Sequence, residues 1–305
     1  MFKRTLFIFL AISLTFIACK KETEDDNNNT NNNNQGETDD GPKLVFKVKL
    51  NPNQERLNNV GEPTGVPQGH GAQTPDFNGI SAHYIELAPT AYTQVGEGEV
   101  LYHAPETTSG GDNAIDFDQA TIVNDGEVMY SISLKDVDPG TYQYARVSLG
   151  YQNYDVDFRA EGYDFKATLA SFVGYNNYIT SFKVKDETVT VNANKLQGYW
   201  AWETHPNQVL TEAMVETGQA PGTTVPNPLS DTSPIPAGSC LVTGGFTNEL
   251  TITGDETEDI VVELSLSINN SFEWEDANEN NIFEPLDGDE VVDMGIRGLI
   301  ATRIE

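Results

Sequence analysis

The segment Leu44-Val45-Phe46-Lys47-Val48-Lys49-Leu50 alternates, with Phe46, Val48 and Leu50 on one side and both lysines on the other. A period of two is the spacing of a strand buried on one face, so these residues predict a β-strand. Further strand runs are expected at 81–87, 99–103, 128–134, 141–151, 156–160, 181–184, 188–191, 198–203, 249–253 and 259–268. Turn chemistry separates several of them, as at Asn124-Asp125-Gly126, Asp138-Pro139-Gly140 and Thr253-Gly254-Asp255. No convincing amphipathic helix appears. The best candidate, 208–216, is short and soon meets Gly218, and 167–178 reads as either one helix or a strand pair. Two stretches, 51–79 and 218–238, are rich in Gly and Pro and carry no period. The pattern predicts an all-β fold, an antiparallel β-sandwich with long Gly/Pro-rich loops.

The N-terminal pattern differs. Lys3 and Arg4 precede an apolar run, 6–18, broken only by Ser13 and Thr15. A basic start and about a dozen apolar residues predict a secretory signal, too short to span a bilayer comfortably. The run ends in Phe16-Ile17-Ala18-Cys19, which resembles the lipobox of bacterial lipoproteins. That resemblance implies cleavage before Cys19 and acylation of Cys19 by palmitate-type chains. The acidic run Glu22-Thr23-Glu24-Asp25-Asp26 resembles the export signal of Bacteroidetes-type surface lipoproteins. It implies an outer-membrane anchor facing the cell surface, with the periplasmic face as the alternative. Residues 27–42 hold seven Asn and no aliphatic side chain, so they predict a flexible tether. The expected organisation is a signal over 1–18, lipidated Cys19 and tether over 19–42, and one sandwich domain over 43–305.

Charge narrows the partners. Asp plus Glu number 47 against 17 Lys plus Arg, a formal net charge of −30. Nucleic-acid binding needs clustered cations to release counterions from phosphate, and attraction to anionic lipid needs a basic patch. Both are excluded as modes of binding, and the expected membrane contact is the covalent lipid. The signal carries Lys3 and Arg4, and the tether carries seven acids against two lysines, so −27 lies on the body.

Candidate chemistry is concentrated near the C-terminus. Asp276, Asn278 and Asn280 recur at every second position, which sets three oxygen donors inside a tight loop. The stretch 276–289 resembles EF-hand-like and dockerin-like calcium loops. Carried over, Asp276, Asn278 and Asn280 are side-chain ligands, Ile282 a backbone ligand, and Glu284 a direct or water-mediated one. Asp287 stands at the twelfth position, with Asp289, Glu290 or Asp293 as alternatives for the last carboxylate. Asn281 replaces the turn glycine, a substitution that Asn tolerates better than most residues. The expected ion is a structural Ca²⁺ that fastens Trp274 and Phe283 into the core edge.

Four histidines, His70, His83, His103 and His205, show no pairing at zinc-ligand spacing. Three segments, Ser81-Ala82-His83-Tyr84-Ile85-Glu86-Leu87, Val137-Asp138-Pro139-Gly140-Thr141-Tyr142 and Gly198-Tyr199-Trp200-Ala201-Trp202, occur in the order seen in MbnP-like periplasmic copper-binding β-proteins. The resemblance implies a metal-binding β-protein. If copper binds, imidazole donors must hold it, which leaves those four histidines as candidates. Once Cys19 is lipidated, Cys240 has no partner for a disulfide and is expected as a buried thiol.

Tyrosines and tryptophans crowd 142–202, where core packing is expected ahead of stacking on sugars. No complete catalytic signature appears. The sequence therefore predicts a non-catalytic, surface-anchored binding or accessory module with a structural calcium site, its partner a protein or a glycan. An MbnP-like copper-binding protein is the alternative, and a glycan-binding or glycan-processing lipoprotein the third reading.

Overall fold

The strand β1 (Lys43–Asn51) buries Leu44, Phe46, Val48 and Leu50 and turns its lysines outward, as its alternation predicts. Burying each such side chain contributes about 1.5–3 kcal/mol. The computed structural model describes residues 41–58, 61–220, 236 and 238–304. The expected signal, Cys19 and nearly all of the tether lie outside the described residues, as does most of the loop at 218–238.

The strands that follow are β2 (His70–Gln73), β3 (Asp76–Ala88), β4 (Glu99–His103), β5 (Glu106–Thr107), β6 (Ala114–Asp116), β7 (Val128–Ser133), β8 (Gly140–Ala160) and β9 (Tyr163–Phe172). Then come β10 (Asn176–Lys183), β11 (Thr188–Leu196), β12 (Tyr199–Thr204), β13 (Val215–Gln219), β14 (Cys240–Ile252), β15 (Ile260–Ser267), β16 (Phe272–Glu275), β17 (Glu290–Asp293) and β18 (Leu299–Arg303). Two 3₁₀ turns are the only helical elements among the described residues.

The fold is all-β and sandwich-like. The largest sheet runs β13-β12-β9-β8-β14-β18-β15-β1-β7, with β3 paired to β8 and β4 to β3. Side chains from β1 and β15 share one apolar cluster with those of β3, β8 and β14, so the two halves of this sheet enclose a common core. Two smaller sheets, β11-β10-β6-β5 and β17-β16-β2, account for the other strands among the described residues. Most ladders are antiparallel, but β1–β15, β6–β10 and β14–β18 are parallel.

Three local outcomes bear on the sequence reading. The runs 141–151 and 156–160 belong to one strand, β8, of 21 residues. Its buried middle has β3 on one edge and β14, then β9, on the other, so no turn intervenes. The segment 167–178 takes the strand-pair option, as the end of β9 and the start of β10. The helix candidate 208–216 forms no helix; its last two residues open β13, which pairs with β12.

Candidate functional site

His83 sits on β3, between β8 and β4 in the large sheet, where 79–88 are all buried. The β3–β8 register shifts on both sides of Ala82, and His83 itself has no register partner on β8. Irregularities of this kind re-aim a side chain relative to strict alternation. His103 ends β4, paired opposite Tyr84, and the Ala104 N–H donates to the His83 carbonyl at 2.7 Å. The two imidazoles consequently meet edge to face, with ring centroids 4.9 Å apart. Three residues beyond His103, Glu106 opens β5 and faces both rings.

One nitrogen of each imidazole and one Glu106 carboxylate oxygen lie within 4.8 Å of one another. His83 Nε2 is 3.3 Å and His103 Nε2 3.7 Å from Glu106 Oε1. Two ligands with bonds of about 2.1 Å to one ion stand at most about 4.2 Å apart, so both contacts already fit a shared metal. His103 Nδ1 lies 3.1 Å from the Ala104 carbonyl. A proton on Nδ1 satisfies that carbonyl and leaves Nε2 as a lone pair toward Glu106, the usual outer support of a ligating histidine. His83 is wholly inaccessible, and its Nδ1 has no hydrogen-bond partner.

The protonation states suit ligation. Burial, reinforced by His103 and only partly opposed by Glu106, lowers the His83 pKa to about 4. At neutral pH this ring is uncharged, so a metal meets no imidazolium charge there. Burial pushes the Glu106 carboxyl up, but hydrogen bonds from Asn113 and Tyr175, together with the histidines, outweigh it and hold the group below its ordinary value. Asn113 Nδ2 donates to Glu106 Oε2 at 2.6 Å and the Tyr175 hydroxyl to Oε1 at 3.0 Å. Asn113 arrives through the β5–β6 pairing and Tyr175 through β10 beside β6. The hydrogen-bond donors that hold this carboxylate are an amide and a phenol, with two imidazole nitrogens beside it. No protein-family model, curated protein or solved structure matches the chain.

The other two copper candidates are elsewhere. His70 Nδ1 lies 2.7 Å from Glu273, whose carboxylate also receives Arg56 at 2.6 Å and Arg297 at 3.4 Å. His205 Nε2 contacts the Thr168 hydroxyl at 2.8 Å, and that hydroxyl donates to Asp155. The structure thus brings His83 and His103 together and separates His70 and His205 from them. Glu106, Tyr175 and Asn113 were not legible as partners. The one local signal is the His103-Ala104-Pro105-Glu106 spacing, which puts a carboxylate three residues past an imidazole.

The 276–289 loop closes on its own polar groups. Asp276 accepts the Asn280 and Asn281 N–H groups at 3.2 and 2.6 Å, and Asn281 takes the turn position at φ 56°. Asn278 and Asn280 both donate side-chain amide hydrogens to Glu284 Oε2, and Ile282 donates its N–H to Asn280. Asp289 is buried and accepts the N–H groups of Ala277 and Glu284 at 3.0 and 2.7 Å, whereas Asp287 is exposed. Hydrogen bonds from Asn278 and Asn280 hold the Glu284 carboxyl below its ordinary value. Trp274 and Phe283 share one aromatic cluster, their centroids 5.4 Å apart. Cys240 is free and partly buried, and burial pushes its thiol up to about 12, which makes it a poor nucleophile.

Proposed function

We propose that this protein binds a single divalent transition-metal ion through His83, His103 and Glu106, and that copper is the ion it takes. The convergence of two imidazole nitrogens and a carboxylate oxygen within 4.8 Å carries this reading. Imidazole donors suit copper and zinc, and among first-row divalent ions Cu²⁺ binds most tightly to a given nitrogen-oxygen site. The MbnP-like order of motifs points the same way. Three protein ligands leave a coordination position open, on the side where His103 is 37 % exposed. Binding or delivery of the ion, with no turnover, is the role these features support. The lipobox and acidic run support a body held to the outer membrane through Cys19, with the surface face favoured over the periplasmic one.

Calorimetric titration of metal-stripped protein with Cu²⁺ tests the reading. Binding of one ion is expected, weakened at least tenfold by His83→Ala or His103→Ala and unaffected by His70→Ala or His205→Ala. Equal affinity in all four variants would overturn it.

A second reading concerns the 276–289 loop, for which we infer a structural Ca²⁺. It is favoured by the positive φ at Asn281 and by the wrapping of Asp276 around the next turn. Asp289, buried, serves there as the closing carboxylate in preference to exposed Asp287. A rise in melting temperature on adding Ca²⁺, lost in Asp276→Ala, is the expected result.

A further inference from the structure

Strand β12 divides its side chains between two environments. Tyr199, Ala201 and Glu203 are buried, and Tyr199 and Ala201 join a core cluster with Phe172 and Phe182. Trp200 and Trp202, on the opposite face, are only half-buried. They line a cavity of about 550 Å³ whose walls also include Phe158, Phe165, Phe283 and Met294. That volume lies in the range of about 300–1,000 Å³ typical of small-molecule sites. Gly218 is the register partner of Trp200, and a Cβ there would collide with the indole, so the glycine lets the ring lie across β13. Phe158 meets Trp202 edge to face at 5.0 Å, and Trp202 meets Phe283 at 6.4 Å. The rings are fixed before any ligand arrives.

The polar groups of the cavity are few. The Thr204 hydroxyl already accepts the Met214 N–H at 2.8 Å, and both Asp289 oxygens accept backbone N–H groups. A sugar would leave several hydroxyls without partners there, and each buried unpaired polar group is costly. Glu216 is exposed and stands directly opposite Trp202 in the β12–β13 ladder, so its carboxylate flanks the indole on the same face. Among the described residues, no lysine, arginine or histidine lines the cavity. Aromatic faces attract cations, and carboxylates at the rim strengthen that preference while repelling anions.

We propose that this cleft binds an organic cation with a sizeable apolar body, its charge held over Trp202 and countered by Glu216. The ligand is amphiphilic: its apolar part fills the Phe158–Phe165–Phe283 walls and its ammonium-type head faces the rim.

Matched fluorescent probes test the proposal on the full chain. Trimethylammonio-diphenylhexatriene supplies a cation on an apolar rod, and diphenylhexatriene propionate supplies an anion on the same rod. The cationic probe is expected to bind about tenfold more tightly than the anionic one. Trp202→Ala should weaken the cationic probe about tenfold, and Glu216→Gln, on an exposed strand position, should remove most of the charge preference while leaving the melting temperature unchanged. Equal binding of both probes, or cationic binding untouched by Trp202→Ala and Glu216→Gln, would overturn the proposal. So would displacement of the bound probe by cellohexaose, which would make the cleft a glycan site.

Discussion

Glu106 and Glu273 are both carboxylates against histidine, and they differ in what balances their charge. Glu273 is 5 % exposed and receives two guanidinium groups, from Arg56 and Arg297, besides His70. Burial pushes its carboxyl up, but His70, Arg56 and Arg297 outweigh that and hold it below its ordinary value. Its charge is balanced by groups that are always cationic. Glu106 is held by a phenol, an amide and two imidazoles, one of them kept neutral by burial. The first arrangement is complete as a structural anchor. The second holds a negative charge beside two imidazoles and no guanidinium, which is what a metal cation complements. The residue types are alike, and the partners supplied by distant strands decide the difference.

The largest effect that would break the comparison is on stability. Glu273→Leu leaves buried Arg56 without its carboxylate, while Arg297 keeps Asp293, and should cost about 3–5 kcal/mol in urea unfolding. Glu106→Gln, which keeps hydrogen bonding, should cost about 1 kcal/mol in the same measurement yet remove most of the metal affinity. Comparable destabilisation by the two would erase the distinction.

Metal addition comes next. At a free Cu²⁺ concentration of about 100 times the dissociation constant, the wild type should gain about 2.7 kcal/mol, seen as a higher melting temperature. His83→Ala should gain little, and His70→Ala should gain as much as the wild type.

Acid unfolding separates the two regions by pH. In metal-free protein His83 has a folded-state pKa near 4, below its ordinary 6.5. Its contribution to stability is therefore full above about pH 6.5 and is lost as pH falls toward 4. The Glu273 carboxyl is depressed, so its contribution is full above about pH 4.5 and is lost only below that. Urea midpoints measured from pH 7 to 3 should show the upper slope vanish in His83→Gln and the lower one shrink in Glu273→Gln.

The smallest effect is at Asp287 in the 276–289 loop. Asp287→Asn, at an exposed side chain, should change stability by less than about 0.5 kcal/mol. Asp289→Ala, which leaves the Ala277 and Glu284 N–H groups without acceptors, should cost about 1–3 kcal/mol.

These contrasts follow how each region is written along the chain. The 276–289 loop was legible because Asp276, Asn278 and Asn280 are spaced within one turn and bond to one another locally. The β1 alternation was legible for the same reason: a period of two is a local property of the backbone. The 208–216 segment was misleading because its helical character is weak and pairing of β13 with Trp200 and Trp202 overrides it. The four histidines looked equivalent because nothing in their spacing records which strands will be neighbours.

The sequence by itself determined the all-β class, the alternation that builds β1, the turn chemistry of the 276–289 loop and the concentration of negative charge on the body. All of these depend on neighbours in the chain. Tertiary structure alone decided that His83 and His103 meet at Glu106, that Tyr175 and Asn113 arrive to hold it, and that Trp200 and Trp202, packed against the Phe272–Phe283 cluster, also line a cleft. Those outcomes rest on strand order, on the register shift around His83 and on which face of β12 was left partly uncovered. Contacts across tens of residues are set by the burial of whole sheets, and no local spacing encodes them.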